Sequence, residues 1–581
     1  MMTQPVIKFS SLCVLQNRFL LALLLTLPTW AWSAPDAGSV LQQLEARPGG
    51  ALFAPALKAP SVPTPPAADH SGPVVRVNAF NVEGASLLSP QTLQAALQGF
   101  INRDLSLTQI QEAAWVIVQT YREAGWLVNA FVPQQEIEGG VVKLRVVEAR
   151  LGQVRIQYPE VQLPRERIQA MADAHLTLGQ QVNLHQVDRL LLLLDDLPGV
   201  VTTASFAEGA DVGTTDVLIL LGIGKKVVGN ASLDNFGSVS TGTTRMSVSV
   251  NVNNPAGWGD ALQVQAVNTE GSRYARLAYT LPVGLQGMRT GVHASDMRYH
   301  LVENFANLQA SGSAQSWGLD VTAPLIRQPE RNLNVQLSTD QKRFNNLALA
   351  NTGSTEPTSV SNYRLNVIRF GLAGNWIDRV LQPAQNNVSV QSSLGELDLS
   401  NSPNASSDAN AANTAGAFRK LNFNYNREQS LDHQTSWYVQ TAAQWANRNL
   451  DSSEKLYLGG ANGVRAYPSN EAGGSIGATA TVGFKHRLNE AISLNAFADW
   501  GRIQAYKNNV NVAGNAISST NFQTLQGKGL GVNWRSIEGL EVAATWSSRS
   551  GQNPAAHPTT GADSDGTRRL NRLWLSAALN F

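Results

Sequence analysis

From about residue 225 to the C-terminus, apolar and polar positions alternate with a period of two, in segments parted by turn-rich stretches. In the last of them Leu573, Leu575, Ala577, Leu579 and Phe581 share one parity, and Trp574, Ser576, Ala578 and Asn580 share the other. Met246, Val248, Val250 and Val252 alternate in the same way with Ser247, Ser249 and Asn251. Such alternation predicts strands with one face in lipid and the other on a polar lumen. Sixteen candidate strands start near residues 225, 243, 260, 272, 287, 313, 332, 361, 385, 416, 434, 475, 490, 523, 539 and 570. An even count lets both ends of a barrel face the same compartment. A soluble β-sandwich also alternates, but recurrence across residues 225–581 favours a single closed barrel. Turns near 254–259 and 487–490 are short, whereas 344–361, 398–416, 448–474, 501–522 and 549–569 read as long polar loops, which puts the long loops outside the cell.

The period changes upstream. Residues 39–47 (SVLQQLEAR) predict a short helix capped by Ser39 and stopped by Pro48-Gly49-Gly50. The proline- and alanine-rich stretch 48–73 reads as an extended tether. Residues 74–149 read as strand, helix (Pro90 to Phe100), helix (Thr108 to Ala124), strand, strand, with Ile110, Ala114, Ile117, Val118 and Tyr121 turned to a core. A similar order follows in 150–223, where the run Leu190 to Leu194 is too short to cross a bilayer and reads as a buried helix face.

Composition removes several function classes. With 44 basic and 43 acidic residues there is no field to attract nucleic acid. The apolar segment Phe19 to Leu27, after Lys8 and Arg18 and before small residues, reads as a secretory signal peptide within residues 1–34. The lone cysteine, Cys13, lies inside it, so the mature chain is expected to have no thiol. Eight scattered histidines show no paired metal spacing, and neither a phosphate-binding GxxxxGK[ST] loop nor a GxSxG elbow is present. We therefore expect no enzyme, cofactor or metal.

The plan of 74–149, with YREAGWLV leading into FVPQQEIEGGVVKLRVVEARLG, resembles the polypeptide-transport-associated (POTRA) domain. Two such domains ahead of a barrel, with a leader and a tethered helix, resemble outer-membrane transporters of two-partner secretion, the hemolysin-activation and filamentous-adhesin secreting type. The resemblance implies a membrane β-barrel of about 16 antiparallel strands (224–581) behind two α+β POTRA domains (74–149 and 150–223) in the periplasm. It also implies an N-terminal plug helix within 35–47. Residue by residue, Arg465, with Gly463, Val464 and Tyr467, matches the family's inward loop motif, and Asp499, with Phe497 and Gly501, its lumenal strand motif. The implied role is an ion pair pinning the loop inside the barrel; a solvated arginine and a water-facing aspartate are the alternative. Where the family has glycine this chain has Ala466, which puts the loop tip in question if that position needs a positive φ. Asp234, Asn235, Asn254, Pro255 and Asp260 match the family's barrel start and read locally as turn formers. Phe581 matches the C-terminal aromatic read by the barrel-assembly machinery.

Function follows as an expectation: POTRA domains capture an unfolded, large exoprotein of adhesin or hemolysin type by strand addition, and the barrel passes it across the outer membrane. In the resting state the helix plugs the lumen beside the 448–474 loop, the alternative being a disordered tail. The rival readings are an assembly factor that inserts other barrels, and a passive porin.

Overall fold

A computed structural model of the chain describes residues 35–45, 73–158, 162–349 and 356–581. The predicted leader, residues 46 and 47 of the predicted helix and nearly all of the proline-rich tether lie outside the described residues.

The first element is a helix, Ala37–Glu45. It starts two residues before the predicted cap, because Asp36 caps it instead of Ser39. The Asp36 carboxylate accepts the Ser39 N–H at 2.9 Å, and Asp36 N–H donates to Ser39 Oγ at 3.2 Å. This is a capping box with serine in the reciprocating position, and the acid also suits the positive helix end.

In the first α+β unit, strand Ala79–Glu83 lies parallel to Val141–Glu148, whose other edge carries Val128–Phe131 antiparallel. Helices Pro90–Leu97 and Leu107–Glu123 cover one face, burying Leu93, Leu97, Ile110, Ile117 and Tyr121 against Val142, Leu144 and Val146. Ser106 and Gln109 cap the longer helix reciprocally, and Gly125 at φ 85° ends it. One strand was not foreseen: Arg103–Ser106 pairs with Val74–Val77 between the two helices. Four residues are too few to display a period. The second unit places strand Thr214–Ile223 between Arg150–Gln157 and Val200–Glu208, under helices Arg165–His175 and Leu184–Asp195. Leu190, Leu193 and Leu194 of the leucine run are buried in its core.

Sixteen further strands close into a barrel, all antiparallel, from Val227–Asp234 to Asn571–Asn580. The seam between first and last spans Asn230↔Asn580 to Asp234↔Ser576. Beyond it, Phe581 exchanges backbone hydrogen bonds with Gly229 at 2.9 and 3.0 Å, so the terminal aromatic finishes the closure. Val264, Leu277, Val292, Leu337, Phe370, Val482 and Leu575 are exposed on the outer face, as a lipid-facing register demands. The stretch 344–361, read as a loop, is mostly strand: strands seven (Arg331–Leu349) and eight (Pro357–Asp378) continue as a paired hairpin. Backbone pairing persists wherever a partner strand continues, whatever the polarity of the side chains. The stretch 501–522 likewise begins four residues late, strand thirteen running Ile492–Gln504.

The second unit docks on the short turns of the barrel. Arg327 pairs with Asp196 at 2.6 Å, Asn254 Nδ2 donates to the Gln162 carbonyl at 2.8 Å, and Arg167 Nη2 donates to the Gly284 carbonyl at 3.0 Å. The long-loop end therefore lies opposite these domains.

Candidate functional site: the filled lumen

Two elements occupy the barrel interior: the N-terminal helix and the loop between strands eleven (Thr435–Ala446) and twelve (Ile476–Arg487).

The helix is amphipathic, and Ala37, Val40, Leu41 and Leu44 are buried against the wall. Their seat is made of Met297, Tyr299, Phe344, Tyr363 and Leu365, apolar residues in the lumenal register where polar ones are the rule. Phe344 and Tyr363 stack at 4.9 Å. Each buried aliphatic contributes roughly 1.5–3 kcal/mol, which matters because a helix this short is marginal alone. Polar contacts fix its register. Ala37 N–H donates to Asn346 Oδ1 at 2.7 Å, Gln42 Nε2 to the Lys455 carbonyl at 2.6 Å, and Gln43 Nε2 to the Phe236 carbonyl at 3.3 Å. At the far end Lys342 Nζ lies 3.4 Å from Glu45. A Cβ on Gly38 would stand 2.4 Å from Ser452 Oγ, so only glycine allows the loop this close.

Within the loop, Glu454 is buried between Lys420 and Arg369, with Arg369 Nη2 at 3.1 Å. Burial opposes its ionisation, but the two cations prevail and hold it down to about 2. Asp451 behaves oppositely. Burial and the nearby Asp36 carboxylate push it up to about 6, although Ser453 donates to it from N–H and Oγ.

The loop tip is held by strands twelve to sixteen together. Asp499, 4% exposed, accepts Arg465 Nη2 at 2.6 Å, Nε at 2.9 Å and backbone N–H at 3.0 Å, and Thr481 Oγ1 of strand twelve at 2.8 Å. The guanidinium lies 3.2 Å from the centroid of the Phe497 ring, so one strand supplies both its counter-charge and its π-face. The Arg465 carbonyl accepts Ser547 Oγ at 2.6 Å and Trp574 Nε1 at 2.8 Å. Tyr467 is fully buried, with Arg549 4.4 Å above its ring, and Val464 packs with Leu458 beside Gly501. Gly463 approaches the Leu458 carbonyl too closely for a side chain. Ala466 settles without a positive φ. Its methyl fills space opened by Gly527 of strand fourteen (Phe522–Arg535), whose own Cβ would stand 2.7 Å away.

The barrel-start residues divide. Asp234 binds Arg245 at 2.8 and 3.0 Å, and Asn235 crosses the seam to the Leu573 carbonyl and the Leu575 N–H. Phe236 between them reaches the lumen: its carbonyl accepts both Gln43 of the helix and Ser469 of the loop. Asn254, Pro255 and Asp260 shape the first periplasmic turn, where Asp260 accepts the Ala256 and Trp258 N–H groups and the Tyr279 hydroxyl. Sequence reasoning did not find Thr481, Ser547, Trp574, Gly527 or Glu454. Of these only Trp574, an aromatic in a polar register, carries a signal.

The model of the family described as "Haemolysin secretion/activation protein ShlB/FhaC/HecB" matches residues 213–521, and that of the ShlB-type POTRA domain matches 75–149. The heme/hemopexin transporter protein HuxB of Haemophilus influenzae (strain 86-028NP) is 26% identical over 532 residues, covering 89% of this chain and 92% of the relative. The outer membrane transporter CdiB of Dickeya dadantii is 21% identical over 72% of this chain and 74% of its own. Among solved structures, CdiB from Escherichia coli superposes with a TM-score of 0.61 at 18% identity, covering 98% of this chain and 97% of that one. CdiB from Acinetobacter baumannii follows at 0.56. A lumen filled by helix and loop, inside a sixteen-stranded barrel behind a POTRA domain, thus sits in a chain that belongs to the ShlB/FhaC/HecB haemolysin secretion/activation family, the outer-membrane transporters of two-partner secretion.

Proposed function

We propose that the helix and the inward loop are a closed gate, and that export proceeds by withdrawal of the helix while Arg465 and Asp499 keep the loop aligned with the wall. The observation that carries this reading is the difference in their fastenings. The loop tip is held by a buried bidentate ion pair and hydrogen bonds from strands twelve, fifteen and sixteen. The helix is held by burial of one short apolar face, by hydrogen bonds of which the one from Ser452 Oγ to Asp36 at 2.7 Å meets a charge, and by one part-exposed ion pair, which is worth little. A gate needs one weakly held element, and the proline-rich stretch that follows the helix gives it reach.

Residues 150–223 act in this reading as a second POTRA domain, docked on the barrel and presenting the edge strand Val200–Glu208, on which Val201 and Phe206 are exposed. An extended passenger pairs its backbone with such an edge and needs little from its side chains. The passenger class we favour is a large exoprotein with its own secretion domain, of the adhesin or hemolysin kind, whose folding outside the cell supplies direction. Outer-membrane lipid surrounds the barrel, and the barrel-assembly machinery inserts it.

Deleting the gene and comparing surface and medium proteins, with total barrel content measured alongside, tests the reading. Loss of one large exoprotein, restored by wild type and poorly by Arg465→Ala, supports it. A general fall in other barrels points to assembly instead, and no change in either refutes both.

A further inference from the structure

On the outer face of the wall whose inner face seats the helix, two pairs of arginines face each other directly across neighbouring strands. Arg273 of strand four (Ser272–Val283) is paired in register with Arg298 of strand five (Met288–His300). Arg343 of strand seven is paired with Arg364 of strand eight. All four are exposed on the outer face. Like charges directly opposite on a sheet are destabilising, so the arrangement calls for a counter-charge. Two carboxylates are near: Asp296, 3.5 Å from Arg298, and Asp398, opposite Arg364. Among the described residues none forms an ion pair with Arg273 or Arg343, which leaves a surplus of two positive charges.

The height of these residues points to the partner. On strand eight the outward positions Trp376, Leu372, Phe370 and Ile368 are apolar, and Asn366 and Arg364 follow. Eight residues from Trp376 to Ile368 span about 26 Å of strand, or about 20 Å of height at a tilt near 40°, close to the apolar band of such barrels. Arg364 then stands about 10 Å above the last apolar residue, at the level of headgroups. It lies on the long-loop side, away from the docked α+β unit. The two pairs are centred about 14 Å apart by strand spacing, and below the second of them the outer wall from strand six (Ser311–Arg327) to strand ten (Gly416–Ser430) holds a concavity of about 860 Å³. Its floor includes Trp317, Leu319, Ile368 and Leu394, while Gln341 and Asn366 close the upper rim beside Glu396 and Arg419. Trp317 Nε1 donates to Gln341 at 3.2 Å, and Gln341 Nε2 to Asn366 at 3.0 Å. Two cationic pairs set about the length of a phosphorylated disaccharide apart, with an apolar trough beside one of them, suit an amphiphile with anionic groups at its head.

We propose that the outer wall of strands four to ten binds a bis-phosphorylated glycolipid of the outer leaflet, lipid A, with its phosphates at the two arginine pairs and an acyl chain in the trough beside the second pair. The inner face of the same strands carries Lys342, Phe344, Tyr363 and Met297, the seat of the helix. Lipid bound outside therefore stiffens the wall on which the helix rests.

The test uses the full chain in detergent, titrated separately with bis-phosphorylated lipid A, with the same lipid stripped of both phosphates, and with inorganic phosphate, reading binding by native mass spectrometry and the thermal midpoint. The decisive variant is Arg343→Glu, which sets a carboxylate opposite Arg364 and so removes repulsion instead of endangering the fold. The expected result is at least tenfold tighter binding of the bis-phosphorylated lipid than of the stripped one, lost at least tenfold in Arg343→Glu and retained in Arg535→Gln at the opposite end of the barrel. Equal affinity for both lipids, or equal binding by wild type and Arg343→Glu, overturns the proposal. A midpoint shift matched by inorganic phosphate at equal concentration overturns the assignment to lipid.

Discussion

Replacing Asp499 with asparagine changes one atom at the centre of the loop fastening. The carboxylate accepts four hydrogen bonds, three from Arg465 and one from Thr481, and donates none. An asparagine of the same shape offers one oxygen and turns its NH₂ towards donors, whichever way it is placed. It also leaves the Arg465 guanidinium, 16% exposed, without its counter-charge. Stripping one partner from a buried pair costs about 3–5 kcal/mol. The cation–π contact with Phe497 and the bonds to the Arg465 carbonyl remain and moderate the loss. We therefore expect the docked loop to lose about 3 kcal/mol, a shift of about two decades in its opening equilibrium. Because the only cysteine lies in the predicted leader, a single reporter thiol can be placed in the mature chain. Val464→Cys sits in a fully buried loop position and reacts with a thiol reagent only when the loop lifts. Its labelling rate should rise roughly a hundredfold when Asp499→Asn is added. An unchanged rate would refute the claim that this pair holds the loop.

Three further outcomes are expected. Gly38→Val should unseat the helix, because its first carbon alone would lie 2.4 Å from Ser452 Oγ and 2.9 Å from Ser453 N; single-channel recordings should show frequent opening where wild type is mostly closed. Gly527→Ala puts a methyl 2.7 Å from that of Ala466 and should raise Val464→Cys labelling, a rise reversed by Ala466→Gly. Asp451, pushed up to about 6 by burial and by the Asp36 carboxylate while the helix is seated, loses the Asp36 repulsion once the helix leaves and so binds its proton more tightly in the closed state. Closure should therefore be stronger in acid and weaken as the pH rises towards 6; planar-bilayer conductance should rise with pH over that range, and Asp451→Asn should flatten the rise.

Alternation alone determined the barrel, its strand number and the lumenal side of Asp499, because a strand in lipid must separate its two faces residue by residue. The same reasoning reached the α+β units through helical period and turn residues, and missed Arg103–Ser106 because four residues carry no period. It placed the helix in sequence but chose Ser39 over Asp36 as its cap, a choice made by three-dimensional reach between side chain and N–H. Only the tertiary structure decided what fills the lumen. The seat of Met297, Tyr299, Phe344 and Tyr363 is drawn from strands five, seven and eight, and the grip on Arg465 from strands twelve to sixteen. No local period records such a convergence, because it exists only once the sheet has closed and residues far apart in the chain face one another across the same interior.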